Sequence, residues 1–228
     1  IVLGDENSWL MGLLVAALLF AFHGETGPRA ANSIWFQRGS VAVADVHAGQ
    51  LWRLITGLTL HADAAHVVSN SVAMALLVGA VSDTHGAGLG LFLVLMTGIV
   101  GNAGTVLLYG AQHSSVGAST AVFGALGLLA TEATLRRLGQ RHATIAGYRV
   151  RMGWAPLGAG LALLAIFGTS EGADLLAHVF GFFAGVCEQL VLATMLQGRL
   201  PVLPQLLVGG SAFATVWLAW WSALRSIP

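Results

Sequence analysis

The chain contains no lysine: all ten of its basic residues are arginines, and ten acidic residues balance them across 228 positions. Charged side chains make up only 9% of the sequence, against about one quarter in soluble domains. Hydrophobic residues reach 56% and the mean hydropathy is +0.79. That balance excludes a water-soluble globular domain and describes a membrane protein. With no net charge and no cationic run, a nucleic-acid partner is set aside as well. Cysteine is nearly absent: Cys187 stands alone inside an apolar run, so no disulfide is available and the redox compartment is not readable. An initiator Met and a basic n-region are also missing from the opening IVLGDENSW, and the chain is expected to be trimmed ahead of Ile1. The lysine-free, Gly-, Ala- and Arg-rich composition hints at a GC-rich bacterial genome.

Crossing a bilayer core takes about 20 apolar residues in a helix, fewer where the membrane thins. Seven stretches qualify as candidates, at Ser8–Phe22, Ala64–Val81, Gly88–Leu108, Ala118–Leu135, Gly153–Phe167, Asp174–Leu196 and Gln205–Leu224. Unsatisfied backbone groups are prohibitive in lipid, so each should be helical and the fold an all-α polytopic bundle. Two connections are long. Residues 23–63 hold Trp35, Phe36, Trp52 and Arg53, an amphipathic stretch suited to the interface. Arg136–Arg151 holds five of the ten arginines, which places it in the cytoplasm by the positive-inside rule.

With that loop inside, the second, fourth and sixth spans all start at the outer face. Their first turns carry His66 and Asn70, Ser119, and His178. Ser119 lies 17 residues before Arg136, about 25 Å along a helix at about 1.5 Å per residue. In a core of about 30 Å it therefore sits slightly below the outer boundary.

Hydrolysis of a peptide bond by serine requires a nucleophile, a base within hydrogen-bond reach, and donors aimed at the oxyanion. Ser119 can be the nucleophile and His178 the base. His66 and Asn70, four apart on one helical face, can aim donors at a common oxygen, joined by the free amide at the helix start. Gly181 and Gly185 share a face with His178, while Gly117, Ala118, Gly124 and Gly127 offer small surface on the fourth span. Such residues let two helices approach closely. Phe123, one turn below Ser119, can pack on the imidazole. HExxH zinc chemistry, paired intramembrane aspartates and a G-x-S-x-G elbow are all missing; Ala121 stands where the last glycine of the elbow would be.

WRLITGLTLHADAAHVVSN, GAST and AHVFGFFAG, in that order and spacing, resemble the signature of the rhomboid family of intramembrane serine proteases. The similarity covers about residues 8–196, giving a six-span catalytic core at 1–200. Residues 201–228 resemble the added C-terminal helix of some rhomboids. The resemblance implies Ser119 as nucleophile, His178 as base, and His66 and Asn70 as oxyanion donors. Trp52 and Arg53 match the family's Trp-Arg pair, and His61 a histidine that precedes the oxyanion one. It further implies transmembrane protein substrates, a lipid-embedded site facing outward in a bacterial inner membrane, and no metal or cofactor. The sequence departs from the family pattern at Thr120, where a glycine is usual, at Phe123, where a tyrosine is frequent, and near Val81–Asp83, where an acidic residue ending the second span is absent.

Plainer readings apply elsewhere. Trp52 is expected as an interface anchor, Arg53 as a brace for the first loop, and His61 as a partner of loop backbone. Glu132 and Glu188 are expected to pair with arginines or snorkel, and His23, His47, His85, His113 and His142 to be solvated loop residues. The resemblance also implies the fifth span as a candidate gate, with Trp154 and Pro156 at its start and the GTSEGAD loop after it. A catalytically silent protein that binds membrane segments is the alternative function, and a transporter would need a polar path through the midplane that the sequence lacks. Oligomeric state is not readable.

Overall fold

A computed structural model describes residues 8–139, 144–145, 148–149, 153–168, 174–196 and 198–225. It is all-α apart from two short antiparallel ladders. The helices are α1 (Ser8–Thr26), α2 (Ile34–Gly39), α3 (Val43–His47), α4 (Arg53–Thr56), α5 (Ala64–His85), α6 (Ala87–Leu108), α7 (Ser119–Gly139), α8 (Ala155–Phe167), α9 (Leu175–Met195) and α10 (Val202–Arg225). Strand β1 (Val41–Ala42) pairs with β2 (Ser114–Ser115), and β3 (Thr144–Ile145) with β4 (Tyr148–Arg149). The rest of the arginine-rich connection, including His142, and residues 169–173 of the GTSEGAD loop lie outside the described residues.

Each expected span corresponds to one helix. Five of them, α1, α5, α6, α9 and α10, are long and apolar enough to cross a membrane, and α8 is apolar but 13 residues long. The exception in composition is α7, whose last turns carry Glu132, Arg136 and Arg137. It packs against α5, α6, α8 and α9, so little of its surface has to face lipid. Its buried face is built from small and hydroxylated residues such as Thr120, Gly124, Gly127 and Thr131.

The helix starts have local causes. Asp63 accepts the His66 amide ahead of α5, and Asp174 accepts the Ala177 amide ahead of α9, each occupying one unpaired N–H of a first turn. A single residue, Gly86, separates α5 from α6 with φ +92°. A side chain there would be strained and would strike Gln205. Gln205 of α10 seals this turn, accepting from the Leu89 amide and donating to the His85 carbonyl, both at 2.8 Å.

The first loop is more ordered than expected. Helix α1 continues four residues past Phe22 to Thr26, and the chain then folds through α2, β1, α3 and α4 around Arg53. That guanidinium is buried, donating to Gln50 Oε1 (2.8 Å), the Ser40 carbonyl (2.9 Å) and the Gln37 carbonyl (2.9 Å), and pairing with Asp45 (2.9 Å). Burial lowers its pKa, against the opposing pull of Asp45. The expected brace is therefore present. Trp52 is half-buried and donates its indole N–H to the Arg38 carbonyl (3.3 Å).

Three histidines also correct the sequence reading. His23 lies within α1 and His85 ends α5, both half-buried, and His113 is paired with Asp174 at 2.8 Å. Only His47, of the four that are described, is exposed. Glu132 pairs with Arg136 and accepts from Gln189 (2.6 Å), whereas Glu188 has no ion pair among the described residues.

Candidate active site

The N-terminal turns of α5, α7 and α9 meet at one end of the bundle. Between the last two, His178 Nε2 lies 2.8 Å from Ser119 Oγ. His178 Nδ1 lies 3.0 Å from the Gly168 carbonyl, at the C-terminus of α8. A carbonyl can only accept, so the neutral ring carries its proton on Nδ1 and presents the Nε2 lone pair to the serine hydroxyl. Phe123 packs on the imidazole with centroids 4.6 Å apart. His178 is buried, and Ser119 is partly open.

Close approach of α7 and α9 rests on glycine. A Cβ at Gly181 would sit 2.1 Å from the Thr120 carbonyl, one at Gly185 2.0 Å from the Gly124 carbonyl, and one at Gly127 2.1 Å from the Phe182 carbonyl. The obstacles are backbone atoms, which cannot rotate away. Two of the small residues expected to face α9 have other neighbours: Gly117 lies against His66 of α5, and Ala118 belongs to the apolar cluster with Leu58 and Val94. Gly124 serves both sides, its backbone meeting Gly185 of α9 while its open Cα leaves room for the Thr97 side chain of α6.

On the opposite side of Ser119, Gly117 has φ +133°, and a Cβ there would lie 2.7 Å from His66 Cε1 and Nε2. Glycine is required twice over, by conformation and by the ring beside it. The Ala62 amide donates to His66 Nδ1 at 3.3 Å, which leaves Nε2 as the protonated nitrogen of the neutral ring. One turn further along α5, Asn70 is buried and its Nδ2 has no partner among the described residues. Two side-chain donors on α5 are thus not consumed by the fold.

Several supports surround this arrangement. His61, expected as a partner of loop backbone, is fully buried, accepts the Ala118 amide at Nε2 (3.4 Å) and packs edge-on against His66. Its pKa falls to about 3, mainly through burial and further through the neighbouring His66 and His23. The β1–β2 ladder and the Gly117 amide bonded to the Gly57 carbonyl (2.9 Å) clamp the segment before Ser119 to the first loop. Asp174 joins the start of α9 to His113, whose ring stacks on Tyr109 with centroids 3.7 Å apart. Thr120, unexplained by sequence, is buried with its methyl in the notch between Gly101 of α6 and Gly181 of α9. A cavity of about 10 Å³, room for about one water, is lined by Ser119, Thr120, Asn102 and Asp174 among others.

The family model described as Rhomboid domain matches residues 48–195, more than half of the chain. YdcA of Bacillus subtilis is 29% identical over 143 residues, 60% of this chain and 65% of that protein. GluP of the same organism is 37% identical over 81 residues, 36% of this chain and 16% of GluP. Rhomboid-like protease 3 of Toxoplasma gondii is 32% identical over 140 residues, 60% of this chain and 50% of that protein. The chain thus spans less than two thirds of each relative's length.

Proposed function

The chain belongs to the rhomboid family, and on that premise we propose that it is an intramembrane serine endopeptidase whose substrates are transmembrane proteins, cut near the outer membrane boundary. The observation that carries the reading is the 2.8 Å contact of His178 Nε2 with Ser119 Oγ, in a ring whose other nitrogen is engaged by Gly168. Ser119 Oγ attacks the scissile carbonyl while His178 Nε2 takes its proton, and the imidazolium then gives that proton to the leaving amine. Donors from His66 Nε2, Asn70 Nδ2 and the Ser119 amide stabilise the oxyanion. Hydrolysis of the acyl-enzyme repeats the sequence with water as nucleophile, and the small cavity beside Ser119 and Thr120 supports a place for it. Among the described residues the partner behind the histidine is the Gly168 carbonyl rather than a carboxylate, and the Phe123 ring packs on the imidazole.

A helical peptide bond is shielded by its own hydrogen bonds, so substrates should carry helix-weakening Gly, Pro or small residues at the cut. The arginine-rich connection supports a site facing outward in a bacterial inner membrane. The test is labelling of the detergent-solubilised protein with a fluorophosphonate, alongside cleavage of a model transmembrane substrate. Labelling should vanish in Ser119→Ala, and cleavage should be lost in both Ser119→Ala and His178→Ala. Labelling that survives the serine substitution would sink the dyad.

A further inference from the structure

Between α1, α5, α6 and α10 lies a groove of ≈540 Å³, inside the range of about 300–1,000 Å³ typical of ligand pockets. Its walls are hydrocarbon and aromatic, with Leu18, Phe22, Val94, Phe213 and Trp217 among them. Thr59 is its one hydroxyl-bearing side chain, and that hydroxyl already accepts the Trp220 indole N–H at 3.1 Å. None of Ser119, His178, His66 or Asn70 lines it. In a membrane protein, such a space between spanning helices excludes water and suits an acyl chain.

The end of the groove carries charge. Leu224 and Trp221 of α10 line it. The Arg225 guanidinium lies 3.6 Å above the Trp221 ring, and Arg38 donates to the Leu224 carbonyl at 2.7 Å. Arg225 is exposed and Arg38 half-buried, and neither has a carboxylate partner among the described residues. This is the end of the bundle that holds Ser119, because Trp220 bonds Thr59 and the adjoining Gly57 carbonyl accepts the Gly117 amide. It is the end remote from Arg136 and Arg137. Trp35, Trp217, Trp220 and Trp221 gather at the same level, in the manner of side chains at the headgroup boundary. Guanidinium groups pair bidentately with phosphate. Each arginine here keeps donors free directly beside an apolar channel.

We propose that the groove seats one anionic phospholipid, with an acyl chain along the apolar wall and the phosphate against Arg38 and Arg225. The seat touches the back of α7 at Ala118 and Ala121, so its occupant rests against the first turn of the helix that carries Ser119.

Tryptophan fluorescence tests this without any catalytic readout, so it stands apart from the protease reading. The full chain in detergent micelles is titrated with phosphatidylglycerol or phosphatidylcholine bearing brominated acyl chains, which quench nearby indoles. Phosphatidylglycerol should reach half-maximal quenching at about tenfold lower mole fraction, as expected for two charge-assisted contacts. Arg38→Gln with Arg225→Gln, at one half-buried and one exposed position, should make the two lipids equal while the helical circular dichroism of the protein stays unchanged. Equal quenching in the parent protein, or a phosphatidylglycerol preference that survives the double substitution, overturns the proposal. Absence of quenching by either lipid overturns it too, because the groove would then be closed to acyl chains.

Discussion

His178 donates its Nδ1 proton to the carbonyl oxygen of Gly168, across a 3.0 Å contact that joins the first turn of α9 to the residue that caps the C-terminus of α8. The proposed base is therefore oriented by the backbone of the shortest and most apolar of the candidate spans. Any displacement of the C-terminal end of α8 would release the Nδ1 partner, so movement of that helix and the tautomer of the base are physically linked.

The first prediction concerns that ring. With ¹⁵N-labelled histidine, His178 should show the neutral Nδ1–H tautomer at neutral pH. His178→Ala should lower the rate of fluorophosphonate labelling by about 10²–10⁴-fold, the usual worth of a general base. An Nε2–H tautomer would contradict the hydrogen-bond assignment.

Glycines at the α7–α9 contact should be far less replaceable than glycines elsewhere. Gly185→Ala drives a Cβ to 2.0 Å from the Gly124 carbonyl and should cost about 1–3 kcal/mol or more through forced separation of the helices. Gly210→Ala in α10 meets nothing within 4 Å and should be neutral or stabilise by about 0.5–1 kcal/mol. Unfolding in detergent, followed by circular dichroism, compares the two; equal effects would contradict the packing.

Acid should weaken the fold through His61. Its folded pKa of about 3 lies below the 6.5 of an ordinary histidine, so the unfolded chain binds a proton that the folded chain refuses. The stability tied to neutral His61 is whole above about pH 6.5 and is lost as pH falls towards 3, by up to about 1.4 kcal/mol per pH unit. His61→Gln should flatten that part of the pH dependence of the melting temperature. An unchanged slope would mean that other groups carry it.

Arg53→Lys should open the first loop, because one ammonium cannot reproduce four contacts spread over Gln37, Ser40, Asp45 and Gln50. A loss of about 2–4 kcal/mol is expected from the carbonyls and carboxylate left behind. Limited proteolysis between residues 27 and 63 should become faster, and Arg53→Ala should be at least as severe.

Much of the site was readable because its parts obey local rules. Ser119, His178 and the His66–Asn70 pair sit in first turns whose common end follows from counting spans. Gly181 and Gly185 announce close packing by their spacing alone. The partners of the supports were not readable, since each contact joins positions far apart in the chain. His61 reaches Ala118, Ser114–Ser115 pairs with Val41–Ala42, and Asp174 meets His113. Thr120 shows the same limit: locally it is only a departure from the family's usual glycine, and Gly101 on α6 reveals the space that receives it.

The sequence by itself determined the solvent, the helices and their approximate ends, because apolar length and backbone hydrogen bonding leave lipid-spanning chains few alternatives. Tertiary structure alone decided the interior course of the first loop, the proton position on His178, and which glycines face which helix. Those depend on backbone carbonyls brought together by folding, and a carbonyl looks the same at every position of a sequence.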